Sequence, residues 1–262
     1  MPELPDVEVF KRYLDATALH KTITEVEVET AQILEGVSIS KLQKSLKGRQ
    51  FQSTHRHGKH LLVALDQDPW LTLHFGMTGF LKYFKDMDKE PEHDRLLISF
   101  DNGYHLAYDS QRKLGAVGLT DGVDNFIDEK ELGPDALSLD LEGFRQVIKG
   151  TRGTLKSFLM NQKHLAGIGN VYSDEILFQG GLHPKGEVND LDADTVKRLF
   201  EAMQEVLNKA IEAQADPARL PDSFIIPHRK KGGSCPRCKG QVEKISVSGR
   251  SGYFCPKCQA KP

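Results

Sequence analysis

The chain has 262 residues, long enough for two domains of ordinary size, and is 39% apolar and 27% charged with no low-complexity tract. No apolar run reaches the roughly 18–20 residues that a bilayer crossing needs, and the acidic start MPELPDVEVF lacks the basic and apolar segments of a secretory signal, so no membrane contact and a cytoplasmic location are expected. The net charge of −2 hides an asymmetry: residues 228–262 hold nine Lys/Arg against the single acid Glu243, leaving 26 basic and 36 acidic residues before them. A local basic face suits a polyanion, because counter-ion release depends on nearby Lys/Arg and not on the average charge; a solubilising basic tail is the plainer alternative.

In chain order, residues 5–18 read as a helix, with Pro5 in its first turn and Val9, Phe10, Tyr13 and Leu14 as its apolar stripe. From about Thr22 to Leu119 the pattern is one of strands. Val26 and Val28 alternate with glutamates, followed by HLLVAL (60–65), WLTLHF (70–75), GFLKYF (79–84), RLLISF (95–100) and YHLAY (104–108). Short strands separated by turns such as Asp101-Asn102-Gly103 predict an antiparallel sandwich or barrel. Residues 121–135 turn acidic and loop-like, a plausible interdomain hinge.

Beyond the hinge the period becomes helical. A short helix is expected over 155–160, then the turn NQKHLAGIGN (161–170), then a helix over 171–181. Two helices joined by a Gly-containing turn resemble a DNA-binding hairpin, although most such pairs are simply core. Leu199, Phe200, Met203, Val206, Leu207, Ala210 and Ile211 line one face of a helix of about 20 residues.

All four cysteines lie near the end, as Cys235-x2-Cys238 and Cys255-x2-Cys258 with 16 residues between the pairs. Two CxxC turns on facing hairpins build a tetrahedral thiolate site for one zinc ion. Two disulfides are the alternative, disfavoured in a cytoplasmic chain. Four thiolates leave no open coordination position, so the zinc is expected to be structural and not catalytic.

Together, PELPDVE at the start, HFGMTGFL, AGIGNVYSDEILF and the four-cysteine ribbon resemble the formamidopyrimidine-DNA glycosylase/endonuclease VIII family over nearly the whole chain and in the right order. The resemblance implies an α+β multidomain fold: an N-terminal helix plus antiparallel β-sandwich, a helical domain with a helix–two-turn–helix motif, and a zinc finger. The expected bounds are 1–122, a linker over 123–135, 136–227 and 228–262. It implies a monomer acting on damaged double-stranded DNA in base excision repair, as a bifunctional glycosylase and abasic-site lyase.

The chemistry follows from the residues. With Met1 removed, Pro2 presents a secondary amine; an α-amino group titrates near 7.7–8.0, against roughly 10.4 for lysine, so part of it is unprotonated at neutral pH. Attack on the sugar C1′ gives an iminium ion, and β- then δ-elimination can follow. Glu3 is the candidate general acid/base. The family pattern further implies catalytic support from Asp6 and Lys59, the latter against phosphate near the lesion. Asn170 and Arg250 would hold phosphates, with Lys156 a weaker candidate. Met77 would fill the gap left by the flipped base, Arg112 would reach the orphaned partner base, and Leu114 would wedge the stack.

Three departures from the family pattern stand out. Asp6 replaces the usual Glu of PELPEVE, and Leu114 in RKLG replaces the aromatic of RRFG. Before the finger, DPARLPDSFIIPHRKKGG stands where purine-specific members carry a Gly/Lys-rich loop that caps 8-oxoguanine. The lesion is therefore open: formamidopyrimidine, 8-oxoguanine or a hydantoin, with an oxidised-pyrimidine preference as the alternative. A non-catalytic binder of damaged DNA is the remaining contender from another class.

Overall fold

The computed structural model describes residues 1–260, so Lys261, counted above in the basic tail, lies outside the described residues. The chain divides into two compact units. The first comprises Met1–Pro2 and Asp6–Lys130, and the second Glu3–Pro5 and the chain from Glu131 onward.

The first unit begins with α1 (Leu4–Thr17), whose first two residues group with the second unit. Then come β1 (Ile23–Val28), β2 (Leu34–Glu35), α2 (Ile39–Leu46), β3 (Phe51–His57), β4 (His60–Leu65), β5 (Trp70–His74), β6 (Phe80–Phe84), β7 (Asp94–Phe100), β8 (His105–Asp109), β9 (Ala116–Thr120) and α3 (Val123–Glu129). The strands form a four-stranded sheet, β1-β7-β8-β6, and a five-stranded sheet, β2-β9-β5-β4-β3. Every pairing is antiparallel except the short β2–β9 contact. Alternate residues point inward: Val26, Leu96, Ile98, Leu106 and Tyr108 share a core with Leu61, Val63, Leu71, Leu73 and Val117, and α1 adds Val7 and Leu14.

Two elements depart from the expectation. The strand β3 reads FQSTHRH, too polar to stand out, and forms because its alternate residues face solvent while Phe51 is buried. The acidic stretch after Asp121 is not loop throughout. Phe126 anchors α3, with its ring edge-on to His60 at 5.1 Å, and Lys130 just beyond the helix pairs with Glu35 at 2.7 Å.

The second unit contains α4 (Leu141–Ile148), α5 (Leu155–Met160), α6 (Asn170–Gln179), α7 (Ala193–Glu212) and the hairpin β10 (Glu243–Val247)–β11 (Arg250–Phe254). Asp140, Thr154 and Asp192 cap the first, second and fourth of these helices, each side chain accepting from an N–H three residues on. α7 buries the stripe Val196, Leu199, Met203, Val206, Leu207 and Ala210 against Phe144, Phe158, Tyr172, Ile176 and Leu177. Helix α6 mixes polar and apolar residues and is buried from Tyr172 to Phe178, including Ser173, Asp174 and Glu175. Those buried polar groups organise the site.

Candidate active site

The strand of chain at Glu3 and Leu4 is threaded into the turn between α5 and α6. Leu4 N–H donates to Gly167 O at 3.0 Å, and Leu4 is fully buried in the second unit's core. The Glu3 carboxylate accepts from Gly169 N–H at 2.7 Å, Val171 N–H at 2.8 Å and Tyr172 N–H at 3.2 Å. These are orphan donors at the start of α6, where the helix dipole favours an anion. The two glycines of AGIGN make room for it. Gly167 adopts φ +117°, and a Cβ there would come 2.5 Å from Leu4 Cδ1; a Cβ on Gly169 would come 2.4 Å from Glu3 Cδ. Gln162 braces the turn, its amide NH2 donating to Met160 O and Ile168 O at 2.8 Å each while its oxygen accepts from Gly167 N–H at 3.0 Å. Pro2 is half-buried and groups with the first unit, so it sits where the chain passes from one unit to the other. Asp6 lies in the first turn of α1, half-buried and engaged within the protein.

Lys156, the weaker candidate for a phosphate contact, lies on α5. It has no exposed surface, and its ammonium donates to Asp174 Oδ1 at 2.6 Å, Ser173 Oγ at 2.8 Å and Asn170 O at 3.1 Å. A cation committed in this way holds the hairpin together. Burial lowers its pKa, with the Asp174 charge opposing. Arg229 joins from the other side, donating to Asp174 Oδ2 through Nε at 3.1 Å and Nη2 at 2.7 Å. Taking one member out of such a buried set strands the others, typically at a cost of about 3–5 kcal/mol. Asn170 opens α6 and donates from Nδ2 to Ser251 O at 2.9 Å, while Arg250 is exposed at the start of β11. Asn170 and the Arg250 strand are thus brought together within the second unit.

In the first unit, Met77 and Leu114 are exposed, at 41% and 51%, on two abutting turns. The turns meet closely: a Cβ on Gly76 (φ +56°) would come 2.4 Å from the Leu114 carbonyl carbon, and Arg112 N–H donates to Thr78 Oγ1 at 3.4 Å. Arg112 itself is exposed. Large apolar side chains left outside in a pair are more informative than buried ones. Lys59, in the β3–β4 turn, is buried and engaged within the protein. His60 and His74 are cross-strand partners with ring centroids 4.9 Å apart. Burial, then the charge of His74, pushes His60 down to about 3; burial, then Lys59, lowers His74. Both shifts favour the neutral rings, and Lys59 and Lys130 both contribute to them.

The four cysteine sulfurs lie within 4.8 Å of one another, with Cys235–Cys258 at 3.8 Å and Cys238–Cys255 at 3.5 Å. A disulfide needs about 2.05 Å. Four thiolates roughly 2.3 Å from one tetrahedral ion stand roughly 3.8 Å apart, so the donor set fits a single structural zinc. Cys235 and Cys255 are buried with Phe178, Ile225 and Val242, which roots the ribbon on α6. Gln259 strengthens that root, accepting from Cys255 N–H and donating to Leu182 O, each at 2.9 Å.

The roles of Gly167, Gly169, Asp174 and Arg229 escape a reading of the sequence, because each depends on a partner far along the chain, and Gln162 escapes it because its bonds are set by the fold of the turn. The glycines of AGIGN gave the only signal.

Comparison with known proteins agrees with this layout. Residues 1–117 match the formamidopyrimidine-DNA glycosylase N-terminal domain, 132–221 its H2TH domain, and 232–261 the zinc finger found in FPG and IleRS. The chain is 34% identical to the formamidopyrimidine-DNA glycosylase of Geobacter metallireducens, covering 99% of this chain and 100% of that one. It is 30% identical to that of Pelotomaculum thermopropionicum, with 99% of each chain covered. Among solved structures it resembles the Lactococcus lactis Fpg in complex with DNA containing an abasic site, with TM-score 0.89, 30% identity, and 99% and 100% of the two chains covered. It resembles MutM in complex with DNA containing carbocyclic 8-oxo-G to the same degree, TM-score 0.89 at 30% identity over 99% and 100%. The chain belongs to the formamidopyrimidine-DNA glycosylase family.

Proposed function

We infer that this protein is a base-excision-repair DNA glycosylase that binds damaged duplex DNA and removes oxidised bases, with an abasic-site lyase step. The observation that carries the reading is the Glu3 cradle. A carboxylate bound by three peptide N–H groups and seated between two glycines is fixed one residue from the amine that must react. A binder that performs no chemistry has no use for such a seat.

Met1 is exposed and open to removal, which frees the Pro2 nitrogen. That nitrogen attacks C1′, the bond to the damaged base breaks, and the base leaves with a proton. The sugar ring then opens: the C1′–O4′ bond breaks, O4′ takes a proton, and an iminium ion forms that acidifies C2′; loss of the C2′ proton expels the 3′ phosphate, and loss of the C4′ proton expels the 5′ phosphate. Glu3 offers a fixed negative charge beside the developing cation and a site to pass protons. Asp6 supports this end of α1, its carboxylate one methylene shorter than a glutamate's. Lys59, Asn170 and Arg250 are assigned to phosphates around the lesion. Met77 and Leu114 fill the stack while Arg112 meets the orphaned base, recovering part of the few kcal/mol that flipping costs. Work on nucleoid DNA in the cytoplasm fits this activity.

The lesion reading rests on residues 216–233. This segment is taken up by two short 3-10 turns, Pro217–Arg219 and Ile226–His228, and by the buried Leu220, Phe224 and Ile225. Gly232 and Gly233 are pinned to Val242. Chain packed in this way is not available to fold over a flipped purine, which favours formamidopyrimidines and hydantoins over 8-oxoguanine.

Borohydride reduction with an abasic-site duplex tests the chemistry. The wild type should be trapped covalently and Pro2→Gly should lose most trapping; a Pro2→Gly protein trapped at the wild-type rate would place the nucleophile elsewhere. A panel of duplexes with 8-oxoguanine, formamidopyrimidine, hydantoin, thymine glycol and dihydrouracil tests the lesion, and fastest excision of 8-oxoguanine would sink that preference.

A further inference from the structure

We propose that Asp174 is a positioning residue that locks Asn170, on the helix hairpin, and Arg250, on the zinc ribbon, into one fixed spacing for successive DNA phosphates. The proposal rests on the phosphate assignments of those two residues.

Asp174 is fully buried on α6, and its two oxygens tie together four stretches of chain. Oδ1 accepts from Lys156 of α5. Oδ2 accepts from Arg229 of the segment leading to the ribbon, and also from the backbone N–H of Tyr253 in β11 at 3.0 Å. Both cations then converge on a second acceptor, the carbonyl of Asn170, at 3.1 Å from Lys156 Nζ and 3.2 Å from Arg229 Nη2. The Asn170 amide completes the circuit by donating to Ser251 O, one residue beyond Arg250. Packing seals it. A Cβ on Gly252 would come 2.9 Å from Asp174 Oδ1 and 3.0 Å from Lys156 Cε, so β11 can lie on the carboxylate only with glycine at that position. Arg229 also stacks over the Tyr253 ring at 5.3 Å.

The charge at residue 174 matters as much as its shape. Two cations share one fully buried carboxylate, Lys156 without exposed surface and Arg229 largely covered, so a neutral side chain there leaves two like charges facing each other. They are free to separate only by moving the segments that carry them, and those segments hold Asn170 and β11. Asp174 touches no DNA in this scheme and acts through the two residues that do.

The test is a double-mutant cycle on the zinc-loaded full chain, with binding to a duplex carrying a tetrahydrofuran abasic-site analogue as the readout. Asp174→Asn should weaken binding about ten-fold while zinc stays at one per chain and the trapping rate at saturating DNA stays within about three-fold of wild type. Arg250→Ala should cost about ten-fold in the wild type but less than about three-fold in Asp174→Asn, since Arg250 is already out of register there. An equal cost in both backgrounds overturns the proposal, as does a wild type indifferent to Arg250→Ala. Should Asp174→Asn lose zinc, Arg229→Lys runs the same cycle: it keeps the charge but cannot grip Asp174 with two nitrogens and reach Asn170 as well. Additivity there is equally fatal. Absence of trapping in the wild type sinks the proposed function instead, whereas a trapped wild type with an additive cycle sinks only the role of Asp174.

Discussion

The turn before α6 and the paired turns at Met77 and Leu114 solve opposite problems. The first is buried and over-determined: Glu3 has three N–H donors, Asp174 has two cations and an amide, and glycines leave no slack. The second exposes 41% of Met77 and 51% of Leu114 on turns held mainly by backbone contact. Chemistry needs groups fixed to within fractions of an ångström, and burial supplies that. A wedge needs free apolar surface that only a ligand covers. Perturbing the buried region should therefore cost both stability and function, whereas perturbing the exposed turns should cost function alone.

The largest effect is expected at the root of the ribbon. Cys238→Ser removes one of four thiolates, and structural zinc sites of this type contribute about 10–16 kcal/mol of apparent binding energy that is also folding energy. The ribbon should unfold, uncovering Phe178 and Ile225, which pack on Cys235 and Cys255. Metal analysis should show no bound zinc, and duplex affinity should fall with a flatter dependence on salt, because the Lys/Arg of the ribbon no longer act together. Full affinity without zinc would mean that the ribbon is not part of the DNA grip.

Next comes the cradle. Gly169→Ala places a methyl where Glu3 Cδ lies, at 2.4 Å, so Glu3 must leave its three donors. Excision should fall by about 10²–10⁴, the usual contribution of a positioned acid/base, while zinc content is unchanged. If single-turnover excision stays at the wild-type rate, Glu3 does not act from this seat.

A smaller, pH-dependent effect belongs to Glu175. Burial raises its pKa to about 7 despite bonds from Gln179 and the Ile225 and Ile226 N–H groups. A carboxyl whose folded pKa exceeds its unfolded value of 4.5 stabilises the fold fully below that value and loses the contribution as pH rises through about 7. The loss is at most about 3 kcal/mol, from 1.36 kcal/mol per unit. Thermal unfolding of Glu175→Gln should therefore change less between pH 5 and pH 8 than that of the wild type; parallel curves would show that Glu175 does not ionise in this range.

The same contrast explains what was legible in the sequence. Leu61, Val63, Leu71 and Leu73 announce their strands because alternation is local, and the CxxC pairs announce their metal because a turn of fixed length sets the sulfur spacing. Lys156 hid its burial because a lone lysine reads as surface, and its partner Asp174 lies 18 residues on. Helix α6 hid its burial for the same reason: Ser173, Asp174 and Glu175 look solvent-facing until Lys156, Arg229 and the Ile226 N–H are brought to them. The acidic run around α3 concealed a helix whose single anchor is Phe126. Buried polar networks are invisible to hydrophobic periodicity, because they obey pairing and not pattern.

Leu114→Ala sharpens the comparison at its weak end. Half of Leu114 already faces water and no buried group depends on it, so the change should shift stability by no more than about 0.5 kcal/mol, the range for surface positions. Function should respond more. Part of the few kcal/mol spent on flipping is recovered by apolar fillers, so about ten-fold slower excision is expected for a well-paired lesion. The penalty should shrink for a lesion in a mismatch, where the stack is already weak and there is less for the wedge to replace. Side-by-side excision from matched and mismatched duplexes reads this difference directly. An equal slowing on both substrates would mean that Leu114 acts on something other than stacking, and a Tm drop of many degrees would mean that the turn is core after all. A backbone held by the Gly76 contact and by Thr78 needs nothing from the leucine side chain, which leaves that side chain free for the role proposed for it.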